Sequence, residues 1–521
     1  MTQSGSFRKV AKGGAVFTVG LFSANLLQFV TGVVVIRIVE PFEYGLISLG
    51  LTTVFMLSFL SMLGLRVATP RFLAKYRAQG DHGLMDQVAG TALTCSLAIS
   101  LLFAVLLYGG ARLAALAFHK PEMERVFALL AVMLPAVVGI YTVTVIFQGV
   151  ENARAKLMFE DLAWNLLRLA MLAFVALAGL GYHEVLWTYV LSVWLALTLY
   201  LGYAVRALRG VLRPRFSLAV AKDLLWFSLP LLATGIMSNL TTWSGTLTLG
   251  YFQPPSEVGL FNAPLRLATI APVPLHGIVA FYLPVATRLA VRSAIGEARE
   301  LYESSTKWAF LFTLPVLLYF IIDAEFVVTF LFGTAYGESA DVLRVLLVGI
   351  AIQSFLGPNA ATLIAFGYLR TQFVASILAG LVAVALCLLL VPKYGALGAA
   401  VGAAGAHWVS GVTISVGLFR RYRIHPLVSS YLKPMLLVVA CSTVVGMILQ
   451  GAHFGSPLAH LLLFIGIAAL TLAAPLITRT LSRADLELIG SIERRIRGRS
   501  TITDRMGRWV TKGFAGGGSG I

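Results

Sequence analysis

The sequence predicts an all-α polytopic membrane protein with about fourteen transmembrane helices, twelve of them in two repeats of six. Three observations carry this prediction. Of 521 residues, 58% are hydrophobic and only 12% are charged, whereas a soluble domain keeps roughly a quarter of its residues charged to hold its surface in water. Apolar runs of ~18–25 residues, the length that crosses ~30 Å of hydrocarbon, recur along the whole chain. The basic residues then fall overwhelmingly on one side of those runs, as the positive-inside bias requires.

The first six runs cover residues 15–36, 44–65, 87–109, 126–149, 159–180 and 185–205. Six more follow at 225–249, 263–287, 305–322, 342–366, 371–391 and 395–418, and two last ones at 431–449 and 458–478. The connections are short, and none has room for a folded soluble domain. The first run is too long for a cleavable signal peptide and leads into further spans. Pro230, Pro272, Pro274 and Pro315 fall inside runs, where a missing amide hydrogen bends or breaks a helix. The twelfth run is nearly all Gly and Ala from Gly395 to Gly405, the composition of a helix packed close against a neighbour. Beyond the last run, Ser482 to Arg497 reads as a short amphipathic helix and Gly516 to Gly520 as a flexible end.

With the N-terminus inside, 32 Lys and Arg lie on the cytoplasmic side, three within spans (Arg168, Arg266, Arg344) and five outside (Arg37, Arg112, Lys120, Arg125, Lys393). Asp and Glu divide 11, 2 and 10 over the same places. Both termini are therefore expected in the cytoplasm of a cell-membrane protein. The net charge of +17 follows from topology, with a secondary attraction to anionic lipid headgroups, and needs no nucleic-acid partner. Cys95, Cys387 and Cys441 sit inside apolar runs, which excludes a disulfide framework.

An internal repeat divides the chain. Glu43-Tyr44-Gly45-Leu46 follows the first run and Glu257-Val258-Gly259-Leu260 the seventh, 214 residues later. The same offset sets Asn25 on Asn239. Two repeats of six spans both start on the cytoplasmic side, and the interface of such parallel repeats is where transporters place their substrate.

Polar residues within the runs are the candidate site. In the fifth, Asp161, Asn165 and Arg168 share one helical face, with Glu160 beside them. A charge among lipid tails costs at least ~2.5 kcal/mol, so this stripe should face protein or a water-filled cavity. Asn262, Arg266 and Thr269 form a second stripe in the eighth run. Asn239, Thr242 and Thr246 form a third in the seventh, matched by Asn25 and Gln28 in the first. Arg168 and Arg266 are candidate anion ligands, because a guanidinium fork donates paired hydrogen bonds to phosphate. Asn239, Asn262 and Asn25 are candidate cavity residues, and Asp161 and Glu160 candidate carriers of a coupling H+ or Na+. The plain structural alternatives are an intrahelical ion pair for the fifth run and helix-to-helix hydrogen bonds for the asparagines. Arg37 and Arg344 sit at outer span ends, where reaching to headgroups explains them equally well. There is no phosphate-binding G-x-x-x-x-G-K-[ST] loop, no H-E-x-x-H and no Cys/His cluster with metal spacing. The sequence therefore predicts no catalytic residue, metal or cofactor, and a transporter rather than an enzyme.

Several segments identify a family. Val35-Ile36-Arg37-Ile38-Val39-Glu40-Pro41-Phe42-Glu43-Tyr44-Gly45, Leu63-Gly64-Leu65 running to Arg71-Phe72-Leu73-Ala74-Lys75-Tyr76, and Leu224-Leu225-Trp226-Phe227-Ser228-Leu229-Pro230 occur in order. Val258-Gly259-Leu260-Phe261-Asn262-Ala263 and Tyr282-Leu283-Pro284 follow. Over about residues 5–490 the chain resembles the polysaccharide-transport branch of the MOP exporter superfamily, the Wzx-type flippases of lipid-linked sugars. The resemblance implies two six-helix lobes around a central cavity, at 1–206 and 207–424, then helices thirteen and fourteen at 425–480 and a cytoplasmic tail at 481–521. It implies a cargo of polyprenyl-pyrophosphate-linked oligosaccharide, flipped from inner to outer leaflet by alternating access, with glycosyltransferase or polymerisation machinery as candidate partners beside the membrane lipids. A multidrug antiporter of the same superfamily is the alternative, and the basic Arg168 and Arg266 argue against it. A membrane polymerase or glycosyltransferase is a third possibility. It would need larger outer loops than those near 110–125 and 323–341.

Overall fold

The computed structural model describes residues 20, 23–209, 213–426, 429–450, 457–478 and 480. The amphipathic tail segment and the Gly-rich end expected from the sequence lie outside them. Among the described residues all regular structure is helical, and nine helices are long and apolar enough to cross a membrane, or ten if the bent pair Thr334–Phe355 and Asn359–Ala365 is one crossing.

The difference from fourteen expected runs has a local cause in each case. Ser23–Ile38 and Tyr431–Gly446 are apolar but short among the described residues. The runs expected at 371–391 and 395–418 form a single stretch, Leu369–Tyr422, interrupted at Gly395, whose φ of 52° lies in the left-handed region that glycine tolerates. The run expected at 159–180 is not one α-helix. It is a π-helix over Lys156–Ala163 that continues as an α-helix over Trp164–Leu177. The run expected at 263–287 is divided into helices Pro255–Ala268 and Val273–Val291, with Pro272 and Pro274 at the break. Pro230 and Pro315, by contrast, sit inside helices that run on through them.

The chain forms two compact units, one of residues Met1–Ile270, Glu325–Leu346 and Ser376–Val409, the other of Ala271–Ala324, Leu347–Ala375 and Ser410–Ile521. In the first, Leu65, Leu73, Met85, Val88, Ile146 and Leu224 make a buried core. In the second, Tyr282, Tyr302, Leu363, Ile414 and Leu418 form one core, and Phe310, Leu314, Tyr431, Val438 and Ile467 another. That last core fixes the helices Ser429–Gln450 and Pro457–Ile477 to Ile295–Ile322.

Within the first unit the repeated motif has a structural purpose. Helix Pro41–Ser61 and helix Pro255–Ala268 each begin with Pro in the first turn, where no amide is needed. A Cβ on Gly45 would stand 1.7 Å from the Pro255 carbonyl oxygen, and a Cβ on Gly259 2.0 Å from that of Pro41. Both pairs obey the 214-residue offset, so the two copies of the motif touch reciprocally, as the halves of an isologous interface do. Glu43 caps its own helix by accepting from the Glu40 amide at 3.3 Å. Its repeat mate Glu257 accepts from the Ala396 amide at 2.7 Å, just past the Gly395 break. The small residues after that break serve close packing: a Cβ on Gly398 would meet the Leu390 backbone at 2.6 Å and one on Gly402 the Cys387 Sγ at 2.5 Å.

Candidate functional site

Five of the seven candidate site residues line one cavity of about 240 Å³ in the first unit: Asn25, Glu160, Asp161, Arg168 and Arg266, with Asn165 beside them. Three of the elements that border it carry these residues. Helix Ser23–Ile38 contributes Asn25 and Gln28, the π-to-α segment 156–177 contributes the charged stripe, and helix Pro255–Ala268 contributes Arg266.

Arg168 is 9% exposed. Its guanidinium donates to Asn165 Oδ1, whose own Nδ2 donates to the Asp161 carbonyl at 2.8 Å. It lies 5.2 Å from the Tyr189 ring centroid and 5.7 Å from that of Trp164, contacts that suit a weakly hydrated planar cation. Among the described residues its Nε–H has no partner, and neither does the indole N–H of Trp164, which borders the same cavity. Two buried donors without acceptors are costly, at about 1–3 kcal/mol each unless something accepts from them.

Arg266 is held differently. Its Nε donates to the Tyr44 hydroxyl at 2.6 Å, and its side chain crosses Gly32, where any Cβ would fall 2.7 Å from Nη1. Gly32 thus gives the guanidinium its route into the cavity. Neither Arg168 nor Arg266 makes an ion pair with a carboxylate among the described residues.

The sequence-level pairing of Asp161 with Arg168 is not what forms. Both Asp161 oxygens accept from Lys156 Nζ, at 2.9 and 2.8 Å. The π-helix explains this: its wider turn, with i to i+5 hydrogen bonds, brings residues five apart onto one face. Glu160, 9% exposed, accepts from Arg66 at 3.0 Å through Oε1, and Lys156 Nζ stands 3.9 Å from the same oxygen.

The other two candidates lie elsewhere. Asn262 accepts from Thr246 at 3.1 Å and donates to the Val258 carbonyl at 2.9 Å, which fastens helix Leu218–Phe252 to helix Pro255–Ala268. Asn239 borders a second cavity with Arg66 and Trp243. Arg37, for which the sequence leaves headgroup contact as one of two readings, donates to the Leu331 carbonyl at 2.7 Å and to that of Phe330, and Arg344 pairs with Asp341 one turn away. The sequence reading did not select Tyr44, Arg66, Tyr141, Lys156, Trp164 or Tyr189. Tyr44 was signalled by its place inside the repeated motif. The others are aromatic and basic residues with no distinctive spacing.

A family model described as polysaccharide biosynthesis protein matches residues 10–290. The succinoglycan biosynthesis transport protein ExoT of Rhizobium meliloti (strain 1021) is 25% identical over 246 residues, which is 47% of this chain and 47% of that protein. The chain thus matches about half the length of that relative. Among solved structures, the lipid II flippase MurJ in an inward closed conformation aligns with a TM-score of 0.69 at 13% identity, over 88% of this chain and 98% of that one. An inward-facing MATE family multidrug transporter of the MOP superfamily aligns with 0.66 at 16%, over 78% and 98%. Likeness at such identities shows the fold. With the family match covering more than half of the sequence, the chain belongs to the polysaccharide biosynthesis protein family, as a multi-pass membrane protein with the fold seen in the MurJ and MATE structures.

Proposed function

We propose that the protein flips a polyprenyl-pyrophosphate-linked oligosaccharide from the cytoplasmic to the outer leaflet by alternating access. The observation that carries this reading is the pair of guanidinium groups, Arg168 and Arg266, lining one cavity without a carboxylate on either among the described residues. Charge inside a bilayer is retained where it has work to do. An anion rich in acceptor oxygens would occupy both guanidinium groups and also the orphaned donors Arg168 Nε and Trp164 Nε1. A pyrophosphate has that chemistry. A cationic drug does not, and both cavity acids are already engaged, Asp161 by Lys156 and Glu160 by Arg66.

In this reading fourteen spans make up the chain, in six-helix lobes at 1–206 and 207–424 with two further helices at 425–480. Besides the helices that cross on length alone, the spans include Ser23–Ile38, the segment 156–177, the two arms on either side of Gly395, and Tyr431–Gly446. The positive-inside bias sets both termini in the cytoplasm. It also puts the reciprocal Gly45–Gly259 crossing at the outer side, where it would close the cavity until the substrate is bound. For coupling by H+ or Na+, Glu160 is the better-placed acid, since it is the more buried of the two and only its Oε1 is ion-paired among the described residues, while both oxygens of Asp161 are taken. Glycosyltransferases and polymerisation machinery are the partners this function would serve, and the sugars pass through without chemistry.

Binding tests the reading. Purified protein in nanodiscs should hold farnesyl pyrophosphate at least about tenfold more tightly than farnesol, a difference of ~1.4 kcal/mol. Arg168→Ala and Arg266→Ala should each remove most of that preference, and Lys at either position should restore part of it, keeping charge but losing the fork. Equal affinity for the alcohol and the pyrophosphate would reject the anion site.

A further inference from the structure

A second cavity, of about 190 Å³, adjoins the first and shares Phe55 and Tyr141 with it. Its character is different. Phe59, Trp243 and the two shared rings form its walls, and Arg66 and Asn239 are its polar groups. Positions 51, 55 and 59 lie one helical turn apart on helix Pro41–Ser61, so the two cavities follow each other along one helix face.

We infer that this second cavity is a carbohydrate subsite that takes the first sugar ring of the headgroup while the phosphates occupy the cationic cavity. The inference rests on the pyrophosphate reading and goes beyond it by assigning separate residues to the sugar. The lining decides the class of ligand. A second phosphate is disfavoured, because the one cation here already accepts Glu160 as its counter-ion at 3.0 Å. A lipid tail is disfavoured too, because it would strand Arg66 and Asn239 against hydrocarbon. A pyranose ring meets both demands, with C–H faces for aromatic rings and hydroxyls at its edge for an amide and a guanidinium.

The wall is fixed in advance. Phe59 and Trp243 meet edge to face, with ring centroids 5.7 Å apart. Gly235 makes room for Phe59, since a Cβ there would fall 2.4 Å from the ring. The Gly235 carbonyl also accepts from Asn239 Nδ2 at 2.9 Å. That bond orients the amide and leaves Oδ1 without a partner among the described residues. Arg66 lies 4.6 Å over the Tyr141 ring and spends one donor on Glu160, with further N–H groups to offer. Its side chain remains 47% exposed.

The test compares two probes on the full chain in nanodiscs: farnesyl pyrophosphate, and the same lipid carrying one glucose on its terminal phosphate. Trp243→Leu and Phe59→Leu should weaken binding of the glucose-bearing probe about tenfold while changing farnesyl pyrophosphate less than twofold. Retained binding of farnesyl pyrophosphate also shows that each variant is folded. Asn239→Ala, a smaller change, should act in the same direction. Arg168→Ala should weaken both probes together. Equal loss for both probes in Trp243→Leu, or no loss for either, would overturn the subsite and leave the anion site standing. If the wild type binds neither probe, the anion site fails and the subsite fails with it.

Discussion

Adding a single methyl group at Gly45 tests the reciprocal crossing of the two motif copies. The new Cβ would lie 1.7 Å from the Pro255 carbonyl oxygen, and the equivalent change at Gly259 2.0 Å from that of Pro41, where ordinary contact begins at 3.4 Å. Backbone cannot rotate away as a side chain can, so the helices would have to part by roughly 1.5 Å along the crossing. Overpacking of that kind costs about 1–3 kcal/mol. Gly45→Ala and Gly259→Ala should therefore each destabilise the protein by ~2 kcal/mol, a roughly 30-fold change in the unfolding equilibrium. The double variant should lose clearly less than the sum, because the first methyl already separates the helices that the second would push. Reversible unfolding in mixed detergent–SDS micelles, followed by tryptophan fluorescence, reads all three. Gly109→Ala and Gly202→Ala, where a Cβ meets nothing within 4 Å, are the controls and should be neutral or slightly stabilising. Single variants within 0.5 kcal/mol of wild type, or strictly additive losses, would refute the reciprocal contact.

Other consequences follow from the charged stripe and the proposed topology. If a proton couples transport, Glu160→Gln should flatten its pH dependence while Asp161→Asn leaves that dependence in place, measured as initial rates across pH in proteoliposomes; the reverse pattern would reassign the carrier. Lys156→Met removes the cation from both Asp161 oxygens and should destabilise the protein by about 3 kcal/mol, with Asp161→Asn recovering part of the loss in the Lys156→Met background. Single cysteines at positions 122 and 338 should react with an impermeant thiol reagent from outside sealed cells, and those at 213 and 421 only after permeabilisation; all four are exposed in the structure. Of Gln253 and Tyr336, the two connection residues that the same charge bias puts outside, Tyr336 is 1% exposed and would stay silent on either side.

Much of this protein is legible in its sequence because a bilayer leaves few options. Backbone polar groups must pair internally, so apolar length translates directly into helices, while the orientation that charge asymmetry predicts is left to the labelling experiment. The charged stripe was equally visible, since Asp161, Asn165 and Arg168 have no business in lipid. What sequence periodicity could not show was the π-helix, because five-residue spacing has no signature beside the 3.6-residue repeat. For that reason the partner of Asp161 proved to be Lys156 and not Arg168. The repeated Glu-x-Gly-Leu motif revealed that two segments are alike, while the meaning of its glycine appeared only when Gly45 and Gly259 were found against each other's helices. Asn262 was as visible as the charged stripe, yet the structure places it outside the lining of the cationic cavity. A polar residue in a span can also join helices, and its bond to Thr246 does so. The aromatic wall of Phe59 and Trp243 was not legible, because aromatic residues are common throughout membrane helices.

The most direct test of the central claim is transport itself. Purified protein is reconstituted into sealed liposomes carrying farnesyl-pyrophosphate-linked glucose, and the fraction of glucose reachable by a membrane-impermeant oxidant is followed in time. The account predicts that wild-type protein moves the probe between leaflets at a rate well above protein-free liposomes, and that Arg168→Ala and Arg266→Ala bring it back towards that background. Rates in both variants equal to wild type, or a wild-type rate no faster than empty liposomes, would contradict it.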